Sequence, residues 1–168
     1  EEAEVFKETC ANHFDRSLAG DQLSPVRTSH QCWCSGNACE AHEVTQTVAQ
    51  RIANLTRSQV RYFEPFQVLK YEVGQFYKVH HDQNSPQSSA WGPRMYTFFM
   101  YLNDAPAGGE THFPRLNISV TPRRGRAAAP PRPLVEAATA SAAGRSTTRA
   151  GWWSTDGSSS RCRGSTRA

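Results

Sequence analysis

The chain has 168 residues, 38% of them hydrophobic, and a formal charge of +4, enough for one domain with a real core. No apolar run reaches the ~20 residues that a membrane-spanning helix requires, so no membrane segment is expected. Nor does the charge mark a nucleic-acid partner: residues 1–126 hold 13 Lys/Arg against 13 Asp/Glu, and six Arg against Glu136 and Asp156 in 127–168 supply the whole +4. Nucleic-acid binding needs a basic face on a folded element, whereas this excess lies on a segment whose composition reads as unfolded.

The chain opens "EEAEVFKETC" with no basic or apolar leader, so it reads as a processed chain or a piece of a longer one. Val5, Phe6, Cys10 and Phe14 recur at helical spacing behind an acidic first turn, which predicts an amphipathic helix over 2–18. A loop rich in Gly, Ser, Pro and Asn follows. Val44, Val48, Ile52 and Leu55 then form a stripe that predicts a second helix over about 41–56, with both stripes facing a core.

Five Cys are present, three of them in "QCWCSGNACEAH". Cys32, Cys34 and Cys39 could nucleate a zinc-stabilised interaction module, with Cys10, His30 or His42 as fourth ligand, or they could be disulfides or free thiols. Asn54-Leu55-Thr56 and Asn117-Ile118-Ser119 are acceptor triplets for N-glycosylation, which occurs in secreted chains.

From Phe63 the pattern changes. "FQVLKYE", "QFYKVHHD", "RMYTFFMYLN", "ETHFPRL" and "NISVTP" are short runs of aromatic and β-branched residues separated by Gly, Pro and Asn, among them the separator "NSPQSSAWGP". That is an antiparallel β pattern after two helices, and it predicts a β-sandwich or jelly-roll barrel with helices on one face. Residues 127–168, mostly Ala, Arg, Ser, Thr, Gly and Pro, have neither helix nor strand period and read as a disordered tail. The chain divides accordingly into a helical and loop support region (1–62), a β core (63–126) and an atypical tail (127–168).

Within "YKVHHD", residues two apart on a strand point the same way, so His80 and Asp82 converge while His81 faces away. An H-x-D pair supplies two legs of a 2-His-1-carboxylate metal site, which leaves positions open for substrates. Around it, "YEVGQFYKVHHDQN", "GPRMYTFFMYLND" and "GGETHFPRLNISVTPRRGRA" closely resemble the prolyl 4-hydroxylase family of Fe(II)- and 2-oxoglutarate-dependent dioxygenases. Tyr71, Gly74, Gln75, Tyr77, His80 and Asp82 match its first motif. Arg94, Thr97, Tyr101, Leu102 and Asn103 match its second, and Gly108 to Thr111, Phe113, Pro114, Val120, Pro122, Gly125 and Ala127 match the rest. Arg27-Thr28-Ser29 and "VAQRIANLT" resemble the region upstream, so the likeness covers roughly residues 1–127.

The resemblance implies an α+β, mainly β fold: a double-stranded β-helix (jelly-roll) with N-terminal helices packed on one face, incomplete at the C-terminus. It implies Fe(II) held by His80 and Asp82, 2-oxoglutarate contacted by Tyr71 and Thr111, and ascorbate as a further cofactor. Arg94 would lie near the groove for a proline-containing peptide or protein, and the compartment would be the endoplasmic reticulum or secretory pathway. No residue is assigned an acid–base role.

Two groups that the family pattern requires are missing. His112 is the only histidine after Asp82, and no lysine follows Lys78. The third iron ligand and the cation that would pair with the far carboxylate of 2-oxoglutarate are therefore not supplied, and a catalytically inactive or truncated family member is the alternative reading. The break falls within "VTPRRGRAAAPPRPL". A shifted reading frame would account for it, because permitted codons over about Ser146 to Ser158 can encode a His-Asp…Gly-Trp-Lys segment resembling the family's distal motif; an authentic divergent, disordered tail is the alternative.

Overall fold

The computed structural model describes residues 1–82, 94 and 96–129, together with the main chain of 136–139 and 147–154. The "NSPQSSAWGP" separator before Arg94, Cys162 and the rest of the tail lie outside the described residues. The N-terminal layer comprises α1 (Glu2–Cys10), β1 (Asp15–Arg16), β2 (His30–Trp33), α2 (Ala38–Ala41) and α3 (Glu43–Thr56). After it come β3 (Gln67–Tyr71), β4 (Tyr77–His81), β5 (Tyr96–Tyr101), β6 (Thr111–Phe113), β7 (Ile118–Val120), β8 (Ala127–Ala128), β9 (Glu136–Thr139) and β10 (Thr147–Ser154). Among the described residues no helix is long and apolar enough to cross a membrane.

The first helix stops at Cys10 and does not continue to 18 as its stripe predicts. Two long-range constraints end it. Cys10 is bonded to Cys32 on β2, and Asp15 and Arg16 leave the helical path to pair with Gln31 and His30. The second helix begins where His42 Nδ1 accepts the Val44 amide at 3.2 Å, an N-terminal cap. It ends at Arg57 in the left-handed region, φ 55. Val48 and Ile52 are buried as the stripe predicts, but Leu55 is 72% exposed, because the buried face is centred on Thr45, Val48, Ala49, Ile52 and Ala53 and leaves Leu55 to one side.

The zinc reading is corrected by the structure. Cys10, Cys34 and Cys39 do lie together, their sulfurs within 4.8 Å of one another. However, Cys10 is bonded to Cys32 and Cys34 to Cys39. Zinc takes thiolates, and sulfurs joined in pairs offer none. These cysteines instead tie α1, β2 and α2 into one buried plate.

The strands form two antiparallel sheets, ordered β1-β2-β3-β10-β5-β8 and β4-β9-β6-β7. Strand alternation distributes β5 between two cores. Phe98 and Leu102 join Val68, Phe66, Phe6, Val48 and Ile52 under the helices, and Phe6 meets Phe66 edge-on at 5.2 Å. Phe99 and Tyr101 point the other way and pack with Phe113 of the second sheet. Fully burying one such side chain contributes roughly 1.5–3 kcal/mol, so β5 holds the helical layer and the sheet pair together.

Three strands lie in 127–168, where the composition shows no strand period: the short β8 at the edge of the larger sheet and two internal strands. β10 runs between β3 and β5, and β9 between β4 and β6. Main-chain pairing uses groups that every non-proline residue carries, so open strands on either side can recruit a segment without an alternating side-chain pattern.

Candidate metal centre

The site is built on β4. A turn at Glu72–Gln75, closed by the Gln75 amide to the Glu72 carbonyl at 3.0 Å, turns the chain out of β3. Its third position requires positive φ, and Gly74 supplies it at φ 85. One side of β4 pairs with β9, and the register slips by one residue between Tyr77 and His80. Along the other side, Lys78 donates to the Val26 carbonyl and Thr28 to the Phe76 carbonyl, each at 2.8 Å. The Thr28 hydroxyl accepts the Phe76 amide at 2.7 Å. Val26, Arg27 and Thr28, upstream in sequence, thus clamp the strand that carries the site, whereas Ser29 pairs with Ser17.

His80 and Asp82 converge as their spacing predicts, with Nε2 of the imidazole 3.4 Å from Oδ1 of the carboxylate. His81 is exposed on the opposite face. Three neighbours orient the pair. The Lys78 carbonyl lies 2.8 Å from His80 Nδ1; a carbonyl can only accept, so Nδ1 carries a proton and, in the neutral ring, Nε2 keeps its lone pair. The Thr97 hydroxyl donates to Asp82 Oδ2 at 2.8 Å, leaving Oδ1 on the His80 side. The Tyr77 ring stacks on His80 with centroids 3.6 Å apart, and the Arg27 guanidinium lies 4.8 Å over Tyr77. Strict alternation would put Tyr77 and His80 on opposite faces; the bulge brings them onto one.

An imidazole nitrogen and a carboxylate oxygen that face each other, each with its group's other atom anchored, suit a divalent metal with mixed N/O ligation. Among the described residues no third imidazole, carboxylate or thiol forms a cluster with them. His112 does not. On β6 it alternates with buried Thr111 and Phe113, so it points outward, where Nδ1 lies 2.9 Å from Ser119 Oγ.

The remaining predicted residues fall in two places. Tyr71 is buried at the end of β3, close enough to Tyr77 for charge on one phenol to raise the pKa of the other. Burial is the first cause of that rise, with the Asp82 charge adding to it and Arg27 opposing. Thr111 is buried in a separate network in which Tyr101 takes part: the Tyr101 hydroxyl lies 2.8 Å from Thr111 Oγ1, accepts the Thr111 amide at 3.0 Å and donates to the Val120 carbonyl at 2.8 Å.

Arg94 enters the site on the chain leading into β5, and Glu64 grips it through two bonds of 2.7 and 2.8 Å. Burial works against its charge, but hydrogen bonding and charge from Glu64, then the charge on Asp82, outweigh this and raise its pKa above the usual value. Glu64, Thr97 and the Tyr77 stack were not assigned roles from sequence. Thr97 was within reach, since it shares the inward face of β5 with Phe99 and Tyr101. The Tyr77 stack depends on a bulge, and the Glu64 fork spans 30 residues; neither leaves a local signal.

A family model described as the 2OG-Fe(II) oxygenase superfamily matches residues 66–152. Prolyl 4-hydroxylase 5 of Arabidopsis thaliana is 38% identical over 113 residues, covering 64% of this chain and 38% of that protein. Human prolyl 4-hydroxylase subunit alpha-1 is 35% identical over 138 residues, covering 75% of this chain and 25% of that protein. The chain thus spans well under half the length of these curated relatives.

Among solved structures, the viral collagen prolyl hydroxylase of Paramecium bursaria Chlorella virus-1, in its 2OG complex, superposes with a TM-score of 0.60 at 24% identity, covering 74% of this chain and 78% of that one. A Trichoplax adhaerens prolyl hydroxylase, solved with a hypoxia inducible factor peptide fragment, superposes at 0.69 with 16% identity, covering 91% and 75%. These likenesses show the fold, the double-stranded β-helix that the sequence resemblance implied. With prolyl 4-hydroxylases as its relatives, and with the His80–Asp82 pair inside the matched segment, the chain belongs to the 2OG-Fe(II) oxygenase superfamily.

Proposed function

We propose that this chain carries the reaction centre of a prolyl 4-hydroxylase, acting on proline in a peptide or protein with 2-oxoglutarate, O2 and ascorbate in the endoplasmic reticulum or secretory pathway. The observation that carries this reading is the approach of His80 Nε2 to Asp82 Oδ1, 3.4 Å apart, with both far atoms anchored. His80 and Asp82 would hold Fe(II), which when bound supplies the redox chemistry coupling decarboxylation of 2-oxoglutarate to hydroxylation of a proline C–H.

The chain's own residues prepare that site. The Lys78 carbonyl sets the His80 tautomer, and the Thr97 hydroxyl fixes the rotation of the Asp82 carboxylate. The phenol of Tyr71 and the hydroxyl of Thr111 are the candidate contacts for 2-oxoglutarate. Arg94, held rigid by Glu64, is the candidate contact for substrate main chain. Its guanidinium stays charged at any working pH.

Anaerobic addition of Fe(II) and 2-oxoglutarate tests the reading. The expected result is the visible charge-transfer band of the chelate, lost in H80A and in D82A but kept in H81A. A band that survives H80A would overturn it.

The lack of any later histidine than His112 and any later lysine than Lys78 favours a second reading, in which the chain binds peptide without turnover and residues 127–168 derive from a shifted frame. Sequencing the coding DNA across codons 120 to 168 separates the two. A His and a Lys in the alternative frame support the shift; their absence ends it.

A further inference from the structure

We infer that Asn117 is an N-glycosylation site whose glycan covers the open edge of the second sheet. Three independent features converge there. Asn117-Ile118-Ser119 is an acceptor triplet. Asn117 sits at a tight reverse turn, φ 50 and ψ 42, between a single 3-10 turn at Pro114–Leu116 and β7, and it is exposed. Four cysteines of the same chain are joined as Cys10–Cys32 and Cys34–Cys39, and such bonds persist in the oxidising compartments where this modification is made.

The position gives the glycan a task. β7 is the outermost strand of its sheet, and on both sides of Asn117 lie apolar side chains in solvent, Leu116 37% and Ile118 49% exposed. An outer strand with exposed apolar residues is a template for pairing with another chain, which proteins counter by covering or charging it. A bulky hydrophilic oligosaccharide leaving the strand's first corner blocks that approach.

The second triplet is built differently. Asn54 lies in the last turn of α3, where its Oδ1 accepts Gln50 Nε2 at 3.1 Å and the Thr56 hydroxyl donates to the Ile52 carbonyl at 2.8 Å. A glycan there would guard no strand edge.

The transfer needs a lipid-pyrophosphate-linked oligosaccharide as donor. A bond forms between the Asn117 amide nitrogen and the anomeric carbon while the bond from that carbon to the pyrophosphate oxygen breaks. The lipid pyrophosphate leaves with the electron pair, and the amide proton passes to a carboxylate of the transferase. No oxidant or reductant is involved.

The full chain, preceded by a cleavable secretion leader, is translated with microsomes, which reads transfer whether or not the product folds. A mobility shift reversed by peptide N-glycosidase is expected. Removal in heavy-oxygen water should leave labelled aspartate at 117. The shift component at this site should vanish in N117Q and S119A and persist in N54Q. Label at 54 alone, or none, overturns the assignment.

The covering role is read on protein secreted from a eukaryotic host. N117Q should move several-fold more material into large species on gel filtration than N54Q does, and adding I118T should reverse this. Equal profiles for N117Q and N54Q overturn that role.

Discussion

Thr97 and Glu64 set the two side chains on which the candidate site's geometry depends. Thr97 holds Asp82 by one hydroxyl, and both residues are buried. In T97V the carboxylate loses that donor inside the protein, a change that costs about 1–3 kcal/mol. Metal affinity should fall by about tenfold, as when a ligand's outer partner is removed. Equilibrium urea unfolding and Fe(II) titration measure the two effects, and T97S should retain both properties. Glu64 is the larger case, because its side chain is 10% exposed and that of Arg94 25%. E64A takes the two-bond fork from a half-buried guanidinium, leaving it the charge of Asp82, and breaking such a pair costs about 3 kcal/mol. The unfolding midpoint should drop accordingly, whereas the exposed pair of Arg51 with Glu2 should be nearly neutral in E2Q. At this scale the sequence was readable only where chemistry is local. His80 and Asp82 follow from a two-residue period; the Thr97 hydroxyl and the Glu64 fork arrive from other strands and loops.

The ends of α1 and α3 separate what periodicity can tell from what it cannot. The stripes place Phe6, Val48 and Ile52 correctly in the core, because a helix face is a property of consecutive residues. The stop at Cys10 is imposed by a disulfide and by the pairing of Asp15 with Gln31, and neither is encoded within the helix itself. The other end of the helical layer supplies a prediction. Arg57 adopts φ 55, a conformation that costs a residue with a Cβ roughly 1–2 kcal/mol and that glycine takes freely. R57G should therefore stabilise the protein by about 0.5–1 kcal/mol, despite the greater freedom glycine gives the unfolded chain. Thermal unfolding of R57G beside R57A distinguishes this from loss of the Arg side chain, since only glycine relieves the backbone.

Two sheets and a helical layer make one object only if every strand position is filled. β10 occupies the middle of the larger sheet, paired with β3 through Val68↔Ala150 and with β5 through Phe99↔Gly151. Removing residues 130–168 takes away β9 and β10 together, leaving unpaired edges on β3, β5, β4 and β6. Open edges of this kind associate, so the truncated chain should elute in large species and bind a dye for exposed apolar surface. A truncated chain that stays monomeric and unfolds cooperatively would show that these strands are dispensable. The jelly-roll architecture was legible from the alternation of aromatic and β-branched runs between Gly and Pro breaks, and from the family's motifs. The contribution of 127–168 was not, since the central strand Thr147–Ser154 pairs through its main chain and, Trp152-Trp153 apart, its residues carry no strand pattern.

The ring of His80 lies face to face with the phenol of Tyr77 at 3.6 Å, and it is one of six histidines in the chain. Diamagnetic shielding by that phenol should carry its carbon-bound protons upfield, away from the other imidazole resonances. The molecule therefore contains its own nuclear magnetic label at the point where a metal would arrive. Titration with a closed-shell divalent ion can be followed at a single side chain, with no probe added and no turnover required.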